Sequence, residues 1–147
     1  MEKTYDIMLD GIYQESVPLI SSKALHKKLT DNEELILLDT RTTEEYKVSH
    51  LQGAHYVGYD EFKIGKLQNI PKDAQVVVYC SVGYRSKKIG EKLQQAGFTN
   101  VHNLYGGIFE WVNEGYAVYD ATGETTKVHA YSKTWGIWLR KGDKVYE

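Results

Sequence analysis

Two uninterrupted apolar runs of strand length, Leu35-Ile36-Leu37-Leu38 and Val76-Val77-Val78-Tyr79, set the tightest limit on how this 147-residue chain can fold. A strand with one wet face alternates apolar and polar residues, so unbroken runs predict central strands covered on both faces, neighbours in a parallel sheet. Helix-period segments take turns with them. Residues 22–29 read as an amphipathic helix with Leu25 and Leu29 inward and Ser21 or Ser22 as its cap. Residues 42–48 read as a short helix, 55–58 as a strand, 60–67 as a helical or irregular crossover and 101–104 as another strand. In 86–96, Ile89, Leu93 and Ala96 recur at helical spacing, Lys87, Lys88, Glu91 and Lys92 are expected to face water, and Gly97 stops the helix. A last helix over 107–114 carries Ile108, Trp111 and Val112 on one stripe. This alternation predicts an α/β fold: a single three-layer domain with a central, mainly parallel sheet of about five strands and helices on both faces. Residues 1–120 form that domain, and a polar stretch over 120–126 opens a C-terminal extension, 121–147, expected to pack on it.

Composition removes several classes of function. Eighteen Lys and Arg against twenty Asp and Glu leave a net charge of −2, so no global basic field points to nucleic acid or an anionic membrane. No apolar stretch approaches the ~18 residues that cross a bilayer, and no signal peptide is visible, which makes the cytoplasm the expected compartment. Cys80 is the only cysteine, which excludes an internal disulfide and a thiolate zinc cluster. His26, His50, His55, His102 and His129 show no metal-ligand spacing, and neither a metal nor a cofactor is expected.

The chemistry points to the end of the second apolar run, where the chain reads Cys80-Ser81-Val82-Gly83-Tyr84-Arg85-Ser86 before entering a helix. A strand, a tight loop and a helix start place backbone N–H groups and a positive dipole end at the carboxyl edge of the sheet, where open α/β sheets bind ligands. A cysteine at the mouth of such a loop is favoured as its nucleophilic thiolate. Gly83 suits the point where the loop must curl or let its backbone approach an anion, Arg85 adds a cation at the rim, and Ser86 is placed to cap the helix.

Four segments carry a resemblance that spans about residues 18–119. Leu37-Leu38-Asp39-Thr40-Arg41, with Glu44-Glu45-Tyr46 and His50-Leu51-Gln52-Gly53-Ala54, forms the first; the Cys80 loop forms the second. Leu104-Tyr105-Gly106-Gly107-Ile108 with Trp111 and Gly115 forms the third, and Pro18-Leu19-Ile20-Ser21 the entry. Together they resemble the rhodanese-like domain of single-domain sulfurtransferases. The resemblance implies that Cys80 takes the outer sulfur of thiosulfate or another persulfide donor, becomes a persulfide, and passes the sulfur to a thiol, cyanide or protein acceptor. It makes Cys80 the catalytic carrier, with Ser81, Val82, Gly83, Tyr84, Arg85 and Ser86 forming the substrate-binding loop and Arg85 attracting the anionic donor. Asp39, Arg41 and Glu45 are implied to tie the fold together beside the site, and His50 to be a hydrogen-bonded turn residue rather than a base.

Two rivals are set against this reading. Cysteine phosphatases and arsenate reductases resemble the loop but carry one residue more between Cys and Arg; the four found here contract it below the size of a phosphoryl group. A non-catalytic rhodanese-like binding module would use the fold for contact alone, against which stand Cys80, Gly83 and Arg85 together. Beyond the resemblance, Tyr131, Trp135, Trp138 and Leu139 fall on one helical face, with Gly136 weakening the helix. That much apolar surface requires cover from the parent domain, a second copy or a partner.

Overall fold

The computed structural model describes residues 17–130, 139 and 141–146. Its centre is a parallel five-stranded sheet built from β1 (Leu19–Ile20), β2 (Ile36–Asp39), β3 (His55–Tyr56), β4 (Val76–Tyr79) and β5 (Val101–Leu104), in the order β1-β5-β4-β2-β3. The two apolar runs lie side by side, with Ile36 opposite Val76 and Asp39 opposite Tyr79. Successive side chains of a strand point to opposite faces, and β4 divides accordingly. Val77 and Tyr79 enter one core cluster with Leu25, Leu37, Leu104, Ile108 and Trp111, while Val76 and Val78 enter the other with Leu38, Ile89, Leu93 and Val101. The first cluster is covered by α1 (Ser22–Thr30) and α4 (Gly107–Asn113), the second by α3 (Tyr84–Gln95), which makes the three layers. The fourth helix, α2 (Thr43–Val48), follows β2 directly.

Local chemistry sets the element ends. Ser21 caps α1, its hydroxyl accepting from the Ala24 amide at 3.0 Å. The strand expected over 55–58 pairs at His55 and Tyr56 and ends there, where the Gly58 amide joins that of Val57 on the Asp39 carbonyl, at 3.2 and 2.9 Å. In the crossover a single 3-10 turn forms, at Ile64–Leu67. Two expectations for α3 are corrected. The helix begins at Tyr84, so Ser86 lies inside its first turn and the N-cap is Gly83, with φ at +123°. Lys87 does not face water: it is buried beside Ser86, while Tyr84 at the start of the helix is exposed.

The polar stretch after Asp120 is the turn of an antiparallel hairpin, β6 (Val118–Asp120) with β7 (Gly123–Thr125). His50 and Tyr119 exchange backbone hydrogen bonds of 2.8 Å, which tie the hairpin to the segment after α2. Next, β8 (Lys127–His129) pairs in parallel with β9 (Asp143–Val145) and packs against α2. Val128 and Leu139 lie in the same core cluster as Ile108 and Trp111, and the Lys141 amide donates to Asn113 Oδ1 at 3.2 Å. Of the aromatic stripe expected at the C-terminal end, Tyr131, Trp135 and Trp138 lie outside the described residues; Leu139 is buried. Among the described residues no helix is long and apolar enough to cross a membrane. We expect Leu139→Ala to destabilise the protein by about 2–5 kcal/mol, the range for emptying a buried leucine site, read as a shift in denaturant midpoint; a change below the scatter of surface substitutions would show that this part of the extension contributes no core packing.

Candidate active site

Because the sheet is parallel, the carboxyl ends of β2, β4 and β5 meet at one edge, and the side chains there organise around Asp39. Its carboxylate is fully buried and accepts from the Arg41 amide at 3.0 Å, from Arg41 Nη2 at 2.7 Å and from the Tyr79 hydroxyl at 2.7 Å. Arg41 Nη2 also donates to the Ser49 carbonyl at 2.6 Å, and the Tyr79 oxygen accepts from the Leu51 amide at 3.1 Å. Burial alone would push the Arg41 guanidinium toward neutrality, but Asp39 beside it outweighs that and holds the proton on. Burial and the same carboxylate raise the Tyr79 hydroxyl well above its ordinary value, so it remains a donor.

Glu45 forms the second organising centre. On α2 it completes a capping box: its amide donates to Thr42 Oγ1 at 3.2 Å, and its Oε1 accepts from the Thr42 amide at 2.9 Å. The carboxylate then reaches across to the cysteine loop. Oε2 accepts from the Ser81 hydroxyl at 2.9 Å, and Arg85 Nη2 lies 3.1 Å from both oxygens. One buried side chain therefore fixes the start of α2 and two positions of the loop. Burial would raise its pKa, yet Arg85 foremost and Arg41 next hold it below its ordinary value.

Cys80 follows β4 directly and is 2% exposed. Its sulfur accepts from the Gly83 amide at 3.0 Å, so the loop curls back on the nucleophile with the start of α3 immediately behind it. The positive φ of Gly83 is a conformation that a side chain resists, which accounts for glycine at this point. Ser86 Oγ stands 3.5 Å from the sulfur and 2.6 Å from Asn103 Oδ1, while Asn103 Nδ2 donates to the Gly83 carbonyl at 3.1 Å. A hydroxyl has one proton, so Ser86 donates to one at a time of Asn103 Oδ1, the Gly83 carbonyl at 3.1 Å and the sulfur, and the contact to Asn103 is the shortest. From the other side the first amides of α4 close the loop: Ile108 donates to the Cys80 carbonyl at 2.9 Å and Phe109 to the Ser81 carbonyl at 3.1 Å. Gly107 permits this approach, since a Cβ there would strike the Cys80 and Ser81 backbone.

Above the sulfur lies a cavity of about 390 Å³ lined by Arg41, Thr42, Tyr59, Asp60, Glu61, Cys80, Ser81, Val82, Tyr84 and Arg85. The residues that the sequence pointed to are thus brought together, but in different capacities. Cys80, Ser81, Val82, Tyr84 and Arg85 line the cavity; Gly83 and Ser86 stand behind the sulfur; Asp39 and Glu45 hold the walls. Arg85, expected to attract an anionic donor, is on the wall with its charge paired to Glu45. His50 Nδ1 donates to the Tyr46 carbonyl, 2.9 Å away, and the ring stacks on that of Tyr46 at 3.9 Å. Sequence reasoning missed Asn103, Tyr59, Asp60 and Glu61. Only Asn103 left a signal, as a polar residue in a strand-length segment whose neighbours Val101 and Leu104 are apolar.

Stability should depend on acid through this site. Glu45 has a depressed pKa in the folded state, so its contribution is present above the ordinary value of 4.5 and is lost as pH falls through the lower folded value. We expect Glu45→Gln to destabilise the protein by about 1.5–3 kcal/mol near neutral pH, the range for hydrogen bonds to a charged group. Denaturant titrations of both proteins at a series of pH values should converge below pH 4.5; a gap that stays constant into acid would show that the charge of Glu45 contributes nothing.

Comparison with known proteins matches this architecture. A sulfurtransferase from Allochromatium vinosum is 35% identical over 99 residues, which are 67% of this chain and 92% of that protein. A tRNA uridine(34) hydroxylase from Bdellovibrio bacteriovorus is 30% identical over 99 residues, 65% of this chain but 28% of that protein's length. The crystal structure of a rhodanese-like domain protein from Staphylococcus aureus superposes with a TM-score of 0.59 at 28% identity, covering 67% of this chain and 95% of that one. The family model of the rhodanese-like domain matches residues 21–114, from the cap of α1 to the end of α4, and the chain belongs to that family.

Proposed function

We propose that this chain is a sulfurtransferase that carries sulfane sulfur as a persulfide on Cys80. The observation that carries this reading is the Gly83 N–H donated to Cys80 Sγ at 3.0 Å, at the floor of a cavity open to small molecules. The ionised sulfur attacks the outer sulfur of a donor, a new S–S bond forms on Cys80, and the donor's own S–S bond breaks, its electron pair leaving as sulfite from thiosulfate or as a thiolate from a persulfide. An acceptor nucleophile then attacks the outer sulfur of the Cys80 persulfide, and the cysteine thiolate is released.

A persulfide anion bears its charge one atom further out than the attacking thiolate does. An amide already aimed at the sulfur needs no reorganisation as that charge moves, and the dipole end of α3 favours either anion. Little proton movement is required, in keeping with a loop whose hydroxyls, Ser81 and Ser86, are bonded to Glu45 and Asn103 rather than poised as acids. The name and coverage of the Allochromatium vinosum relative agree with this reading. The non-catalytic alternative gains no support from a loop that retains a nucleophile, a donor and a cavity together.

Intact-mass measurement tests the proposal. Incubation with a sulfane-sulfur donor should add one sulfur atom, which cyanide removes; Cys80→Ser should gain none while staying folded, its unfolding free energy lower by no more than about 0.5–3 kcal/mol. Sulfur transfer that persists in Cys80→Ser would overturn the mechanism, since the chain contains no second cysteine.

A further inference from the structure

The cavity over Cys80 is edged by negative charge that its own arginines do not offset. Arg85 sits between both oxygens of Glu45 at 3.1 Å, and Arg41 is clamped on Asp39 at 2.7 Å with no exposure. Opposite the loop, the turn after β3 brings Tyr59, Asp60 and Glu61 to the lining, both carboxylates being exposed. Glu61 is held in place: it accepts from the Tyr56 hydroxyl at 2.7 Å and lies over Gly58, where a Cβ would collide with it. Among the described residues neither Asp60 nor Glu61 has a cation within ion-pairing distance. Lys88 stands over the Tyr84 ring, 5.8 Å from its centroid and outside the lining, while Lys63 and Lys66 line a neighbouring cavity that shares Glu61.

A nucleophile that must be anionic to react is therefore approached past two further carboxylates. A dianion such as thiosulfate carries both its charges against that field. A donor bearing an ammonium or guanidinium group is drawn in by it, with the Tyr59 side chain in the lining beside the two carboxylates. Resting on the sulfurtransferase reading above, we infer that the donor is a persulfide on a carrier with a positively charged group close to the sulfur, and that Asp60 and Glu61 select it over thiosulfate. The transfer balances without a co-reactant. Cys80 thiolate bonds to the outer sulfur of R–S–SH, the bond from that sulfur to the carrier breaks, its electron pair leaves as R–S⁻, and the proton stays on the transferred sulfur. The departing thiolate is accompanied by the carrier's own cation, so no net anion is left in an acidic cavity.

A charge series of methanethiosulfonate reagents reads the field at Cys80 without any sulfur transfer. The ethylammonium, methyl and ethylsulfonate reagents share one leaving group and form a disulfide with the cysteine; rates followed by intact mass are divided by those for free 2-mercaptoethanol. At low salt the cationic reagent should outpace the anionic one by about tenfold or more, and the preference should shrink as salt is added. In the Asp60→Asn, Glu61→Gln double variant the ratio should fall about threefold or more and uptake of sulfur from thiosulfate should rise. An anionic reagent that reacts as fast as the cationic one in the unaltered protein, or a ratio the variant leaves unmoved, overturns the inference. Loading with sulfur separates the two levels. Cysteamine persulfide and a persulfidated cysteine peptide flanked by lysines should both load Cys80 faster than thiosulfate, and the faster of the two tells a free aminothiol from a polypeptide carrier. Thiosulfate loading as fast as either overturns this inference alone; no loading from any donor, with the reagent ratio intact, overturns the sulfurtransferase reading instead.

Discussion

A single buried carboxylate, Asp39, holds the functional edge of this sheet together. It binds the guanidinium of Arg41 and the hydroxyl of Tyr79, and through them the Ser49 carbonyl and the Leu51 amide, so the ends of β2 and β4 and the segment after α2 are joined at one point. Burying a charge is costly unless it is paired and its remaining bonding capacity is met. Here Asp39 receives donors from backbone, guanidinium and phenol, and the pair it makes is worth most as a constraint on geometry. Position is what the neighbouring chemistry needs, because Cys80 is the very next residue after Tyr79.

Glu45 repeats the device one layer closer to the sulfur. The same carboxylate that starts α2 also binds Ser81 and Arg85, so the loop cannot shift without unfastening a helix. Arg85 thereby becomes a wall rather than a free cation, which changes what the cavity attracts. Spacing between Cys and Arg predicts that a guanidinium will be near the sulfur, but whether its charge remains available depends on a residue forty positions earlier. Two chains with the same loop sequence and a different residue at the position of Glu45 would present different fields to the same donor.

The layered α/β fold was legible because its evidence is local. Apolar runs such as Val76 to Tyr79 state that both faces are covered, and the glycine, cysteine and arginine of the loop lie within a few residues of one another. Errors arose where the deciding partner is distant. Ser86 looked like a helix cap because serine is favoured there, yet the positive φ of Gly83 starts the helix earlier and turns Ser86 toward Asn103 on β5. Lys87 fits a solvent-facing stripe by periodicity, but periodicity does not report which neighbouring segments cover one side of a helix, and Lys87 is buried. Asp60 and Glu61 gave no signal at all, since a polar turn in a crossover reads as solvated surface until the fold carries it over a nucleophile.

Residues beyond the family match bear on the site as well. β8 packs against α2, the helix that supplies Glu45, and brings buried His129 into the electrostatic neighbourhood of Glu45, Arg41 and Arg85. Burial holds that imidazole below its ordinary value, with Glu45 opposing and Arg41 reinforcing the effect, so near neutral pH the ring sits there uncharged. Its neutrality matters for the pair beside it. A neutral ring adds no charge to the field that Arg85 and Glu45 share. Both groups have pKa values depressed in the folded state, so each weakens that state as pH falls, His129 below 6.5 and Glu45 below 4.5. The extension therefore packs on the same helix whose Glu45 holds Ser81 and Arg85 of the cysteine loop.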